Sequence, residues 1–146
     1  SITPNQSENT GRITANDVGE TLSFDLKQLS PIPDSWSNYV LGLCDEIIKS
    51  GGKLSGFDCS FGGNIPIGAG LSSSAALLCS AAIALNQCFT LNKSKEEWMY
   101  LTQKAEHHFV GTKCGLMDMF ASLHGKENHL MLFDCQDITF QYVPLT

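Results

Sequence analysis

Positive charge is scarce in this 146-residue sequence. It has 9 Lys and Arg against 15 Asp and Glu, which gives a formal net charge of −6, and only 16% of its residues are charged. A protein that binds nucleic-acid phosphates needs a basic face, so this balance argues against a nucleic-acid partner. With 42% hydrophobic residues, the chain is long enough to form a single domain, residues 1–146, with a buried core.

Long hydrophobic runs are also absent. The richest run, residues 75–85, is interrupted by Ser80 and falls short of the roughly 20 apolar residues of a membrane-spanning helix. The N-terminal residues show no positively charged segment followed by an apolar block, which is the pattern of a secretion signal. We therefore expect neither a membrane partner nor secretion.

The sequence has no C-x-x-C pair. Its six cysteines are scattered, and several lie within apolar patterns, where a reduced cysteine packs like a small hydrophobic residue. This spacing does not predict a zinc site. Free thiols are typical of a reducing compartment, so we expect a cytoplasmic protein. Because the number of cysteines is even, a set of disulfides remains the alternative.

The most informative segment is residues 62–76, G-G-N-I-P-I-G-A-G-L-S-S-S-A-A, which joins a strand pattern to a long apolar helix pattern. Glycines let a backbone approach a bulky anion. A helix that starts at the serines directs unpaired N–H groups and its positive dipole end at the same point. The segment therefore predicts a phosphate site. A tight loop capped by serine is the alternative, and the Walker ending Gly-Lys-Ser/Thr is missing.

Periodicity predicts the remaining elements. Alternation of apolar and polar residues predicts strands at 10–15, 21–27, 56–64, 129–134 and 138–143. Helical periodicity predicts helices at 35–49, 73–89, 94–110 and 116–122. Ser35 is the expected cap of the first helix, and residues 1–9 are expected to be irregular. The helix at 73–89 should be central and buried, because it is apolar on nearly every face.

Two acidic residues follow in a second informative segment. Glu106 lies near the end of a predicted helix, and Asp118 lies shortly after Gly115. Beside nucleotide phosphates, one carboxylate can bind Mg²⁺ and another can orient or deprotonate the attacking hydroxyl. Alternatively, Glu106 is an exposed helix residue and Asp118 is a helix cap or turn residue. The histidines have no metal-ligand spacing, and the serines lack the G-x-S-x-G context of a hydrolase nucleophile.

At these residues the chain resembles the GHMP small-molecule kinases. P-I-G-A-G-L-S-S-S-A is similar to the second motif of that family. Three further segments resemble its galactokinase branch: W-S-N-Y-V-L-G, then A-E-H with C-G-L-M-D, then L-F-D-C. Their order and spacing agree over most of the chain. The resemblance implies an α+β fold, in which a mixed or antiparallel β-sheet is covered by helices, as part of the N-terminal domain of the family.

The resemblance also implies a reaction, the ATP-dependent phosphorylation of the C1 hydroxyl of α-D-galactose to galactose 1-phosphate. Asp118 is implied as the catalytic base, with Gly115 beside it against the sugar. Ser74 and Glu106 are implied as ligands of Mg²⁺. ATP and the sugar are the implied small-molecule partners.

For the nucleotide, the resemblance implies a phosphate-binding loop and an adenine-proximal pair. Trp36 and Tyr39 are implied near the adenine, although core packing would explain them nearly as well. The loop that would wrap the ATP phosphates consists of Gly68, Ala69, Gly70, Leu71, Ser72, Ser73 and Ser74.

Departures from the family pattern bear on activity. The first motif, Gly-Arg-x-Asn-Leu-x-Gly-Glu-His-x-Asp, which holds the sugar, is missing, and so is the glycine-rich third motif. We therefore expect an interior fragment of a galactokinase that is inactive by itself. Met119 replaces a usual Gln, and Leu78 replaces the Glu of many members. Bare sheet edges and apolar faces of such a fragment would favour self-association.

Two alternatives remain open. A non-catalytic, sensor-type relative would bind ATP and galactose and act on a transcriptional repressor. A sister kinase would act on another sugar, such as N-acetylgalactosamine. Flanking sequence would discriminate between a galactokinase and the sensor-type relative, because an intact first motif with its arginine favours the kinase.

Overall fold

The structure, a computed structural model, describes residues 1–66 and 69–145. Its strands are β1 (Ile2–Pro4), β2 (Thr10–Ala15), β3 (Glu20–Asp25), β4 (Phe57–Phe61), β5 (His129–Asp134) and β6 (Thr139–Pro144). Its α-helices are α1 (Asn38–Lys49), α2 (Ser73–Phe89), α3 (Lys95–Ala105) and α4 (Met117–His124), and a π-helical turn, Glu106–Val110, continues α3. None of the described helices is both long and apolar enough to cross a membrane.

The main sheet has the strand order β1-β4-β2-β3. Its two central strands, β2 and β4, are parallel, whereas β1 and β3 run antiparallel to their neighbours. Ile13 pairs with Cys59 on one side and with Leu22 on the other. Both Ile13 and Cys59 are buried in the hydrophobic core. The expected mixed sheet covered by helices is therefore confirmed.

Residues 1–9 are not irregular throughout, so that prediction is wrong. Ile2–Pro4 forms an edge strand that pairs with β4, with Ile2 opposite Cys59. The N-terminal amine of Ser1 also donates to the carbonyl of Ser60 at 2.7 Å. A strand this short has too few residues for a visible alternation, and its partner is distant in sequence.

The start of α1 also differs from the prediction. The helix begins at Asn38, and Ser35 does not cap it. Asn38 instead bonds the backbone of Ile32 through both ends of its amide, at 2.7 and 2.8 Å, and the Ser35 hydroxyl pairs with that of Ser37. These bonds hold the residues before Asn38 in turns, since an asparagine or serine side chain competes with helical hydrogen bonds.

Helix α2 is central, as predicted. Its buried residues are Ala75, Leu78, Cys79, Ala81, Ala82 and Leu85. They join one hydrophobic core with buried residues of α1, α3, α4 and the main sheet. Because α2 is fixed on several sides, its N-terminal serines occupy a defined position at the edge of the sheet.

Helix α3 begins with the predicted capping box. The Ser94 hydroxyl accepts from the N–H of Glu97, and the Glu97 carboxylate accepts from the N–H of Ser94. The helical path ends at Val110, as predicted, but its last turn is π-helical. This turn packs closely on α1, because a Cβ placed on Gly42 would lie only 2.7 Å from the Cβ of Phe109. A π-turn inside a helix often marks a functional site.

The β5–β6 hairpin has one covered and one bare face. On the covered face, the ring of Phe133 stacks on Phe120 of α4 with centroids 3.9 Å apart. On the other face, Leu130, Leu132 and Val143 are exposed, Leu132 by 66%. Single exposed apolar residues are common on protein surfaces. Three of them on one face of a hairpin form an apolar patch, which can mark a contact surface.

Self-association through such bare faces stays a prediction. Sedimentation velocity at increasing concentration should show dimers or larger species of the 146-residue chain. Leu132→Lys should reduce the association, because a lysine resists burial in an apolar contact. Val18→Lys, at an exposed apolar residue of the β2–β3 turn, is the matched control. A clean monomer at high concentration would contradict the prediction.

Candidate functional site

A cavity of about 360 Å³ opens where the main sheet meets the N-terminus of α2. The ends of β2 and β4 form one wall, and the start of α2 forms another. Its lining includes Ala15, Trp36, Tyr39, Phe61, Ser73 and Ser74. The cavity thus brings aromatic side chains next to the serine-rich start of α2, although Trp36 and Tyr39 are more than 30 residues away from it in the sequence.

The segment before α2 is shaped by left-handed residues. Gly70 has φ +72° and Ser72 has φ +53°. Ser72 is the N-cap residue, yet its hydroxyl makes no capping bond within the described part of the chain, and the first helical bond runs from Ala76 to its carbonyl. The N–H groups of the first turn therefore remain open. Of the predicted phosphate-binding residues, Gly68 lies outside the described residues.

The aromatic wall is held by polar bonds. The Trp36 indole N–H donates to the Glu20 carboxylate at 2.5 Å, and its ring meets Phe61 edge-on at 5.6 Å. The Asp17 carboxylate accepts from the N–H of Gly63 at 2.8 Å, which ties the exit of β4 to the β2–β3 turn. Trp36 is therefore fixed with one face toward the cavity that it lines.

Glu106 is buried, with 4% of its surface exposed. The alternative interpretation of Glu106 as an exposed helix residue is therefore wrong. Its carboxylate accepts one hydrogen bond, from the Cys114 thiol at 3.3 Å. Within residues 1–66 and 69–145, Glu106 forms no ion pair with Lys, Arg or His. A buried carboxylate without a cationic partner is costly, so this position favours a bound cation.

The charge of Glu106 acts on Tyr39 of α1 and on Cys79 of α2. Partial burial raises the pKa of Tyr39, and the nearby Glu106 charge raises it further. Burial also raises the pKa of Cys79 to about 11, with Glu106 again adding to the shift. The negative charge of Glu106 thus raises the pKa of one side chain that lines the cavity and of one on the central helix.

Cys114 anchors the loop that leads from the π-turn to α4. Burial, together with the adjacent Glu106 carboxylate, raises the pKa of Cys114 to about 11. Its thiol therefore keeps its proton at neutral pH and can donate. The carbonyl of Cys114 accepts from Gln103 at 3.1 Å and from His107 at 2.9 Å. His107 thus has a structural contact in this loop.

Asp118 lies in the first turn of α4 and is half-buried. It is not the cap of α4, because Leu116 holds that position. Its charge contributes to the raised pKa of Cys114, so Glu106, Cys114 and Asp118 form one electrostatically connected group. Gly115 is exposed next to them, with no atom within 4 Å of where its Cβ would lie.

The sequence missed the roles of Gln103 and Cys114. Both were part of recognisable segments, but nothing in their spacing signals that they meet. The two departures from the family pattern, Leu78 and Met119, are fully buried in the core. They therefore belong to the packed core and do not line the cavity.

Comparisons with known proteins identify relatives of this architecture. The profile of the GHMP kinases N terminal domain matches residues 38–126. The chain is 44% identical to a galactokinase of Thermosipho africanus, covering 90% of this chain and 36% of that protein. It is 46% identical to a galactokinase of Clostridium tetani, covering 75% of this chain and 28% of that protein.

A solved structure, Lactococcus lactis galactokinase complexed with galactose, matches the fold with a TM-score of 0.93. It shares 28% sequence identity, and the match covers 99% of this chain and 38% of that one. The chain therefore spans about a third of the length of the relatives it matches.

The burial of Glu106 generates a stability prediction. Glu106→Gln should leave the free energy of unfolding unchanged or raise it by about 1 kcal/mol, because it removes a buried charge that lacks a cationic partner. The matched control is Glu46→Gln. Glu46 is equally buried, at 5%, but pairs with His108 at 2.7 Å.

Loss of that pair should lower the free energy of unfolding by about 1 kcal/mol. Urea denaturation of the three proteins at pH 7 without divalent cations measures the difference. Greater destabilisation by Glu106→Gln than by Glu46→Gln would contradict the prediction, because it would mean that other groups of the chain already stabilise the negative charge of Glu106.

Proposed function

This chain belongs to the GHMP kinase family, and we propose that it carries the phosphate, metal and catalytic-base residues of a galactokinase. The reaction transfers the ATP γ-phosphate to the C1 hydroxyl of α-D-galactose and gives galactose 1-phosphate and ADP. The observation that carries the proposal is buried Glu106, whose carboxylate accepts from the Cys114 thiol and has no basic partner among residues 1–66 and 69–145. We further propose that residues 1–146 form a single domain.

The ATP phosphates are assigned to the loop before α2 and to the first turn of that helix. The support is the open set of N–H groups behind Ser72 and the left-handed backbone at Gly70. Unpaired N–H groups and the helix dipole together favour an anion. Trp36 and Tyr39 then supply apolar surface for the adenine in the same cavity.

Mg²⁺ is assigned to Ser74 and Glu106. The donor set fits, because a carboxylate and a hydroxyl are hard oxygen ligands. Glu106 is also a buried charge with no cationic partner among the residues that the structure describes. Among the described residues no group of three or more His, Cys, Asp or Glu could hold a metal ion, which suits a cation that takes further oxygens from phosphates and water. When bound, the cation neutralises charge on the transferring phosphoryl group.

Asp118 is assigned as the base. Its carboxylate would take or orient the proton of the C1 hydroxyl while that oxygen attacks the γ-phosphorus, and the bond to the leaving ADP oxygen breaks. Exposed Gly115 leaves open space beside Asp118 for a sugar. The galactokinases to which the chain is similar support galactose as the acceptor.

The whole reaction needs more than this chain contains. The sugar-holding first motif is missing from the sequence, and the relatives are about three times as long as the matched part. Met119 and Leu78, the departures that leave room for the sensor-type alternative, are both buried and do not line the cavity.

Nucleotide binding can be tested on this chain through its two tryptophans. Trp36 lines the cavity, whereas Trp98 is fully buried in the core. ATP should therefore change the fluorescence of Trp36, and Trp36→Phe should abolish the change. Trp98→Phe is the matched control and should retain it. An ATP titration without any signal in the folded wild-type chain, checked by equilibrium dialysis, would count against the proposed cavity.

Activity gives a second test. The 146-residue chain should not phosphorylate galactose, because its sequence does not include the sugar-holding first motif. In a protein extended to the length of its relatives, Asp118→Asn should lower kcat by at least about 10²-fold, the usual contribution of a positioned base. Coupled ADP release measures both. Robust turnover by the chain alone, or full activity of the Asp118→Asn protein, would contradict these expectations.

A further inference from the structure

We propose that Cys114 is a positioning residue that holds the metal side and the sugar side of the site at a fixed separation. Its side chain bonds Glu106, and its backbone fixes the loop that runs into Asp118. The inference rests on the proposed function, because it assigns Cys114 a role toward the cation that Glu106 would bind. In this role Cys114 itself would touch neither substrate nor metal.

Three side-chain bonds converge on Cys114. The thiol donates to Oε2 of Glu106 at 3.3 Å, and the carbonyl accepts from Gln103 and His107 at 3.1 and 2.9 Å. Gln103 and His107 are spaced to lie on one face of the helix. The loop is thus fastened to α3 and the π-turn both through its backbone and through its side chain.

The backbone of Glu106 completes the attachment. Its carbonyl accepts from the N–H groups of Gly111 and Thr112, at 2.9 and 3.2 Å. Glu106 therefore contacts the loop at both ends, through its carbonyl at residues 111 and 112 and through its carboxylate at Cys114. A shift of the loop would move Glu106 and Asp118 together.

A thiol suits this position for an electrostatic reason. It is a weak neutral donor, so it orients one carboxylate oxygen without cancelling the negative charge. A lysine or arginine in its place would form an ion pair and compete with the cation. The other oxygen, Oε1, accepts no hydrogen bond from the described residues.

The test measures metal binding by the ATP-bound chain, with Mn²⁺ as the probe and electron paramagnetic resonance counting free Mn²⁺. Cys114→Ala should weaken Mn²⁺ binding about five-fold, as expected for loss of one hydrogen bond to a charged group from a weak donor. Cys114→Ser keeps a donor and should stay within about two-fold. ATP affinity without metal should not change in either variant.

Controls separate positioning from general loosening. Cys88→Ala removes another half-buried free thiol, on α2, and should bind Mn²⁺ like the wild type. Gln103→Ala removes one bond to the Cys114 carbonyl and should increase amide hydrogen exchange over residues 111–118. It provides an independent test should Cys114→Ala fail to fold, and unchanged exchange in Gln103→Ala would overturn the proposal.

The remaining outcomes are distinct. Wild-type Mn²⁺ affinity in Cys114→Ala overturns the positioning role even if hydrogen exchange rises, because the cysteine would then only stabilise the loop. A Cys114→Ser protein as weak as Cys114→Ala overturns the role of the hydrogen bond. A wild-type chain that binds neither ATP nor Mn²⁺ with ATP overturns the proposed function, and this inference with it.

Discussion

A single buried negative charge organises the candidate site. Glu106 is buried, and no basic side chain in the described part of the chain neutralises it, a situation that folded proteins usually avoid. Its neighbours respond, since the pKa values of Tyr39, Cys79 and Cys114 are all raised in part by its charge. A bound cation, as proposed for this site, would offset the cost of burying that charge.

The remainder of the fold holds this charge in place. The π-turn that carries Glu106 packs on α1, where Gly42 leaves room for Phe109. Helix α2 packs into the core through buried residues between Ala75 and Leu85, and this packing fixes Ser73 and Ser74 at the cavity. Stability and site geometry therefore depend on the same contacts between helices, and a substitution in the core would disturb both.

Local sequence signals predicted much of the secondary structure. The start of α2 at Ser73 and the capping box at Ser94 were correctly predicted, because both depend on neighbouring residues. The edge strand Ile2–Pro4 was missed, because its partner lies in Phe57–Cys59. The start of α1 was misplaced, because the amide of Asn38 bonds back to Ile32.

The candidate site was likewise predicted only in part. The loop before α2, Glu106 and Asp118 were identified from motifs, and the structure places the last two near Cys114. The contact between Cys114 and Glu106 could not be predicted, because it depends on how the loop after Val110 folds back on the π-turn. Burial of Met119 and Leu78 was equally invisible, since it follows from how α2 and α4 meet the core.

The parallel pairing of β2 with β4 has a consequence for the order of folding. β2 pairs with β3 through a short turn, but its bonds with β4 wait until the segment containing α1 has folded back across the sheet. Such non-local pairings form late, because loop closure costs entropy before the contacts form. The serine-rich loop is the direct continuation of β4. We therefore expect the nascent chain to acquire its hairpins and helices first and its anion-binding geometry last.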